Sequence, residues 1–308
     1  MNKYHKDMYN NAQIQLKKNE VEIRLLLTDF LNEDIGTGDI TSNTLIDEKI
    51  DATAKIICKN NDNGAVVSGL SEAKTIFDIC GCASTPLVND GSRLKEKTAV
   101  MVIQGSARSI LKAERTVLNL LMHMSGISTK TSQFVEKLGE YSEFVSISST
   151  RKTSPGLRHF DKKSVVLGGG ISHRYRLDQL ILIKDNHIAI VGSVIKAIEL
   201  VRSKYGSNRK IECEVSDYSG IIDAIGSGAD IVMLDNFVPD LVHRSMEKIN
   251  NLGLRDKIII EVSGGITLDN VYEYASAKPD VISVGSLTHS FQSVDYSLEI
   301  SSSNGVFF

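Results

Sequence analysis

Between Thr150 and Arg176 the chain reads TRKTSPGLRHFDKKSVVLGGGISHRYR. This stretch sets the cations Arg151, Lys152, Arg158, Lys162, Lys163, Arg174 and Arg176, and two histidines, against the single acid Asp161. The whole chain carries 35 basic and 38 acidic residues, a formal charge of -3, so the cluster is not part of a global positive field of the kind that coats nucleic acid. A solvated face can hold such residues with nothing to bind. Their concentration in a slightly acidic chain points instead to a small, multiply anionic ligand, since each hydrogen bond to a charged group contributes about 1.5–3 kcal/mol.

Further along, charged or small residues close successive apolar runs: Lys184 after LILI, Glu214 in IECEV, Asp235 after DIVML, then Ser263-Gly264-Gly265 and Gly285-Ser286. Acids do not bind anions. Among so many cations, Glu214 and Asp235 suit sugar hydroxyls, a divalent metal bridging phosphates, or a positive charge developing in a transition state. The glycine turns offer free N–H groups to a phosphate, helped by the dipoles of the helices expected behind them. Each residue also has a structural reading. A charge at a strand end is often where the strand meets water, SGG is a common tight turn, and His173 and His187 can be bonded to backbone. Arg115 can be a solvated helix residue, and Lys184 a Schiff-base lysine. Recurrence over successive units favours a site.

Such residues need a frame that brings strand ends together. From Phe144 onward the runs FVSIS, LILIK, KIECEV, DIVMLD, KIIIEVSGG and DVISVGS alternate with helical patterns. Strands this apolar, separated by helices, form a parallel sheet buried on both faces. Five or more such units suggest a closed barrel, with a doubly wound open sheet as the alternative; in a barrel all these ends open on one face, and phosphate sites recur after the last two strands. The first half differs. Val21–Asn32 reads as an amphipathic helix running into the turn EDIGTGDIT; ATAKIIC, GAVVSGL and AVMVIQG are β-like, and SEAKTIFDIC is helical. A long helical pattern from Ser109 to about Gly139 bridges this small α+β domain to the second half.

Cys58, Cys80, Cys82 and Cys213 are too few and wrongly spaced for a zinc site, and read as reduced, partly buried thiols. The first twenty residues lack a signal-peptide pattern, and no run reaches the roughly eighteen apolar residues of a membrane span. A cytoplasmic protein without nucleic-acid or membrane partners is expected.

Taken in order, EDIGTGDIT, AERTVLNLLMHMSGIST, TRKTSPGLR, GGGISHR, LILIKDNHI, ECEV, MLDNF, EVSGGI and SVGSLTH resemble the quinolinate phosphoribosyltransferase family, also called carboxylating nicotinate-nucleotide pyrophosphorylases, from about Leu27 to about Ser290. The resemblance implies an α/β fold, with an N-terminal α+β sandwich domain and a C-terminal incomplete TIM-like α/β barrel. We divide the chain into an extension over 1–20, the sandwich and the start of the bridging helix over 21–113, the barrel over 114–290, and a segment over 291–308 that packs back on the first domain. The implied reaction joins quinolinate to 5-phosphoribosyl 1-pyrophosphate, giving nicotinate mononucleotide, pyrophosphate and carbon dioxide, with Mg2+. The implied assembly is a homodimer, or a hexamer built as a trimer of dimers.

By the same resemblance, Arg115 crosses the dimer interface to join Arg151, His173, Arg174 and Lys184 around the quinolinate carboxylates. Lys152 lies between quinolinate and pyrophosphate, and Lys162 points toward the pyrophosphate. Glu214 and Asp235 handle the ribose hydroxyls and the metal; with Lys152 they form the catalytic set. Ser263, Gly264, Gly265, Gly285 and His289 form the 5'-phosphate cradle. The chain departs from the family pattern at Arg176, an extra cation near the site, and at Lys163, which stands for a tyrosine; both bear on affinity and pyridine specificity. A same-fold relative linked to molybdenum transport, expected to lack part of the LIKDNH and arginine set, and a catalytically silent barrel that binds a phosphorylated ligand are the alternatives.

Overall fold

The computed structural model of the protein describes residues 20–59 and 64–301. The extension expected over 1–20, apart from Glu20, and the terminal segment beyond Ser301 lie outside the described residues. In chain order the strands are β1 (Asp51–Cys58), β2 (Ala83–Pro86), β3 (Ala99–Ser106), β4 (Ser146–Ser148), β5 (Ile181–Ile183), β6 (Ile211–Val215), β7 (Ile231–Asp235), β8 (Ile259–Ser263), β9 (Val281–Ser283) and β10 (Tyr296–Ser301). They form two sheets, antiparallel β10-β1-β3-β2 and parallel β4-β9-β8-β7-β6-β5. The chain divides into two compact units. One comprises Gln133–Arg158 and Gly169–His289; the other comprises the remaining described residues.

In the unit of the parallel sheet, all six apolar runs are strands. β6 is buried at every position, as a strand covered on both faces must be. Side chains stop and start the intervening helices. Ser193 accepts the Lys196 N–H ahead of Val194–Tyr205, Asp217 accepts the Gly220 N–H ahead of Tyr218–Gly226, and Pro239 opens Pro239–Asn251. The edge strands β4 and β5 do not pair with each other, so the barrel is incomplete rather than closed. Beside β4, the loop carrying the triple glycine adds a single parallel bridge, Ser148 to Ile171.

Asp230 pins two strand starts at once. Its carboxylate accepts Arg202 Nη2 at 2.6 Å, Lys210 Nζ at 2.7 Å and the Ile211 N–H at 2.9 Å. Burial works against the charge, but the Lys210, Ile211 and Arg202 donors outweigh it and hold the carboxyl below its ordinary 3.8. Asp230→Asn is expected to lower stability by about 1.5–3 kcal/mol near neutral pH. A depressed folded-state pKa means that the unfolded chain takes up the proton first, so this contribution is complete above about pH 4 and disappears as pH falls through the folded value. Urea unfolding of both proteins across that range should show the gap closing in acid.

In the other unit β10 pairs antiparallel with β1, from Thr53 opposite Ser301 to Cys58 opposite Tyr296. The helix Ala107–Lys137 runs unbroken, and the boundary between units falls inside it, after Ser132 rather than near 113. The expected strand GAVVSGL is an isolated bridge at Val66, and the β2 strand was not foreseen. Its amides are drawn off in turn: Val66 and Ser68 donate to Thr129 Oγ1 and Ser125 Oγ of the long helix, and Val67 to the Ser92 carbonyl. The same helix explains the glycine of MSGIST, because a Cβ on Gly126 would lie 2.5 Å from the Gln292 carbonyl oxygen. No described helix is long and apolar enough to cross a membrane.

Candidate active site

Side chains alternate faces along a strand. Glu212 and Glu214 therefore share one face of β6, Met233 and Asp235 one face of β7, and Glu261 and Ser263 one face of β8. Where these faces end, a pocket of about 630 Å³ opens, inside the range of about 300–1,000 Å³ usual for ligand sites. Its lining combines Lys184, Glu214, Asp235 and Ser263–Gly265 from strand ends with Ser149–Lys152 and the His173–Arg174 corner. That corner is brought in by Ser149, whose N–H donates to the Ile171 carbonyl and whose Oγ–H donates to the Ser172 carbonyl.

The charges inside are arranged in opposed pairs. Lys184 Nζ donates to Glu214 Oε2 at 2.8 Å, so its amine is an anchor engaged by a carboxylate, not the isolated amine of a Schiff-base lysine. His187 accepts the Lys184 backbone N–H and opens the helix Asp185–Val191. Asp235 Oδ2 accepts Asn236 Nδ2 at 2.6 Å, while burial and the nearby Glu214 charge push its carboxyl above the usual aspartate value. Arg174 is nearly buried and donates to the Leu180 carbonyl at 3.0 Å; burial, with Arg151 close by, lowers its pKa. Lys152 is exposed at the mouth, its carbonyl accepting Thr288 Oγ–H at 2.7 Å.

Gly264 has φ +95, and a Cβ there would fall 2.2 Å from Asn236 Oδ1 and 2.9 Å from Asn236 N. Asn236, itself at φ +57, donates its N–H to the Ser263 carbonyl, so one residue holds both Asp235 and the glycine turn. Sequence reasoning passed over it, although asparagine is the residue other than glycine best suited to the left-handed region.

Several expectations change. Lys162 is fully buried in the other unit and does not line the pocket; its helix, Arg158–Leu167, is covered on most sides. Lys163 pairs there with Glu72 at 2.7 Å, and so does not bear on the site. Arg176 pairs with Asp178 and is 63% exposed, outside the lining. Arg158 donates to Thr153 Oγ1 and the Tyr175 carbonyl, bracing the loop. Arg115 lies in the other unit with its side chain 59% exposed. Gly285 lies against both Lys152 and His289, and neither Gly285 nor His289 is in the lining. No long helix dipole backs the glycine turns: the following helices are Val271–Ser276 and the single turn Ser286–His289, so any phosphate is held by turn amides. His173 lines the pocket, yet both its ring nitrogens are engaged within the protein.

Glu214 and Asp235 offer hard oxygen donors in one pocket with their charges in opposition, a set of two carboxylates that suits Mg2+ completed by substrate phosphates better than an all-protein cage.

Models of the quinolinate phosphoribosyl transferase N-terminal and C-terminal domains match residues 39–125 and 127–299. The chain belongs to the quinolinate phosphoribosyl transferase family. Among family members, a protein of Methanocaldococcus jannaschii named a probable nicotinate-nucleotide pyrophosphorylase (carboxylating) is 43% identical over 277 residues, 89% of this chain and 96% of that protein. The nicotinate-nucleotide pyrophosphorylase (carboxylating) of Mycobacterium leprae is 35% identical over 278 residues, 88% of this chain and 94% of its own length. The solved nicotinate-nucleotide pyrophosphorylase of Francisella tularensis superposes with a TM-score of 0.84 at 34% identity, covering 93% of this chain and 99% of that one. Strands β1 to β3 lie in the N-terminal match and the parallel sheet in the C-terminal match, which also takes in most of β10, the fourth strand of the antiparallel sheet.

Proposed function

We propose that the pocket transfers the phosphoribosyl group of 5-phosphoribosyl 1-pyrophosphate to the ring nitrogen of quinolinate and that the product loses its 2-carboxylate, giving nicotinate mononucleotide, pyrophosphate and carbon dioxide. The observation that carries this reading is the placing of Arg151, Lys152, Arg174 and Lys184 in one pocket with two acids and a glycine turn. A dicarboxylate needs the cations, a ribose ring the acids, and a 5'-phosphate the turn.

In this reading Arg151, Arg174 and Lys184 clamp the two carboxylates and aim the pyridine nitrogen at the ribose. Lys152, exposed at the mouth, meets the departing pyrophosphate. Glu214 and Asp235 hold the ribose hydroxyls and stabilise the positive charge that grows at C1 as the C–O bond to pyrophosphate breaks. Mg2+, held by Glu214, Asp235 and the substrate phosphates, would supply charge neutralisation of the leaving group. The nitrogen lone pair then forms the new C–N bond. The cationic ring accepts the electron pair left at C2 when carbon dioxide departs, and a proton replaces it. No side-chain nucleophile takes part. Arg115 would enter this clamp from a second copy of the chain in a homodimer. The free cysteines, three of them buried, suit a cytoplasmic setting.

Two measurements test the reading. Calorimetry should show quinolinate binding at least about ten-fold more tightly than nicotinate, which lacks one carboxylate; equal affinities would contradict a dicarboxylate clamp. Gly264→Ala, strained at φ +95 and crowding Asn236, should raise the KM for 5-phosphoribosyl 1-pyrophosphate by about ten-fold or more while leaving quinolinate affinity in place.

A further inference from the structure

Two acids that the proposed reaction does not use stand at the pocket, Glu261 in its lining and Glu212 outside the lining on the neighbouring face of β6. Glu212 on β6 and Glu261 on β8 are fully buried, and both face the ring of His173, whose side chain is 6% exposed. His173 Nε2 lies 3.1 Å from Glu261 Oε2 and 3.3 Å from Glu212 Oε2, and Ser283 Oγ–H donates to Glu261 Oε1. On the far side of the ring, Nδ1 accepts the backbone N–H of Arg174 at 2.7 Å. His173 stands at φ +50, a conformation that is strained for a non-glycine residue and persists only where the surroundings over-determine it.

Protons in such a cluster belong to the set rather than to one member. The Arg174 amide decides where the protons sit. An Nδ1 that accepts an N–H carries no proton, so the ring turns its N–H at Nε2 toward the two carboxylates. The three donor atoms are close enough to ligate a metal. However, Glu261 is already bonded to Ser283 and the ring, and the cluster closes on itself.

We propose that Glu212 and Glu261 are positioning residues of the quinolinate clamp, holding the His173 ring so that the ring fixes the backbone corner from which Arg174 reaches into the pocket. His173 then acts through Arg174, and not by its own bond to a substrate carboxylate. This deepens, and rests on, the reading of the pocket as a quinolinate site.

The test uses the full-length protein carrying Glu261→Gln or Glu212→Gln, which keep side-chain shape. Glu261→Gln should raise the KM for quinolinate by about ten-fold, with the KM for 5-phosphoribosyl 1-pyrophosphate within about two-fold of wild type. In wild type, nitrogen NMR of the His173 ring should show a protonated Nε2 and a hydrogen-accepting Nδ1, a pattern that the variant loses. An unchanged quinolinate KM, or equal rises in both KM values, would overturn the proposal, since general loosening of the fold moves both. Ser283→Ala, which removes only one donor to Glu261, should give a smaller change of the same kind and serves if Glu261→Gln does not fold. Wild-type protein that ignores quinolinate would sink the functional reading and with it the clamp role, whatever the ring NMR shows. Wild-type protein with a protonated Nδ1 would sink the positioning role whatever the activity.

Discussion

Asp235→Asn should leave quinolinate bound with near wild-type affinity and lower kcat by about 10²–10³, the loss typical of removing one preorganised group from a site of developing charge. The exchange preserves shape and changes little but charge. Asp235 ends β7 with Ser263 beside it in register, accepts Asn236 Nδ2 at 2.6 Å, and lies near enough to Glu214 for that charge to raise its pKa. Such opposed carboxylates suit a site where a cation appears between them, and in the proposed reaction the ribose C1 becomes one only in the transition state. In the proposed reading Arg151, Arg174 and Lys184 hold the quinolinate, so its ground-state binding has no need of Asp235. Single-turnover kinetics with calorimetry separates the two quantities. Undiminished turnover would remove the assigned role, and loss of quinolinate binding would mean that Asp235 belongs to the clamp.

The second large effect concerns assembly. Arg115→Ala and Lys184→Ala should each lower kcat/KM for quinolinate by about 10² or more, since each removes a charged partner of a carboxylate. Mixed in equal amounts under conditions that exchange subunits, the two inactive proteins should recover about a quarter of wild-type activity, because half of the dimers are mixed and each has one intact site. The motive is the position of Arg115: it lies outside the unit that holds the pocket, with its side chain 59% exposed. No recovery in dimers shown to be mixed would mean that each site is built from one chain.

The six barrel strands were legible because buried parallel strands are nearly unbroken apolar runs, and their ends were legible because a charge or a glycine there interrupts the run. The same reasoning stopped one layer short. Glu212 and Glu261 lie two residues before the strand-end positions Glu214 and Ser263, on the same face, and an acid inside an apolar strand was the available signal. The clustering of seven cations between Thr150 and Arg176 misled in part. Helical geometry carries Lys162 and Lys163 away into the other unit, where burial and Glu72 claim them, and Asp178 claims Arg176. Nothing local in GAVVSGL showed that side chains of a helix some sixty residues later would take its amides. Nor could the glycine turns reveal how short the helices behind them are.

The measurement that bears most directly on function is the stoichiometry of products from purified protein given quinolinate, 5-phosphoribosyl 1-pyrophosphate and Mg2+, with nicotinate as a parallel substrate. Carbon dioxide and pyrophosphate should appear in equal amounts from quinolinate, with neither from nicotinate. Pyrophosphate released with a different pyridine and none with quinolinate would contradict the dicarboxylate clamp, and no product from any pyridine would contradict catalysis at this pocket.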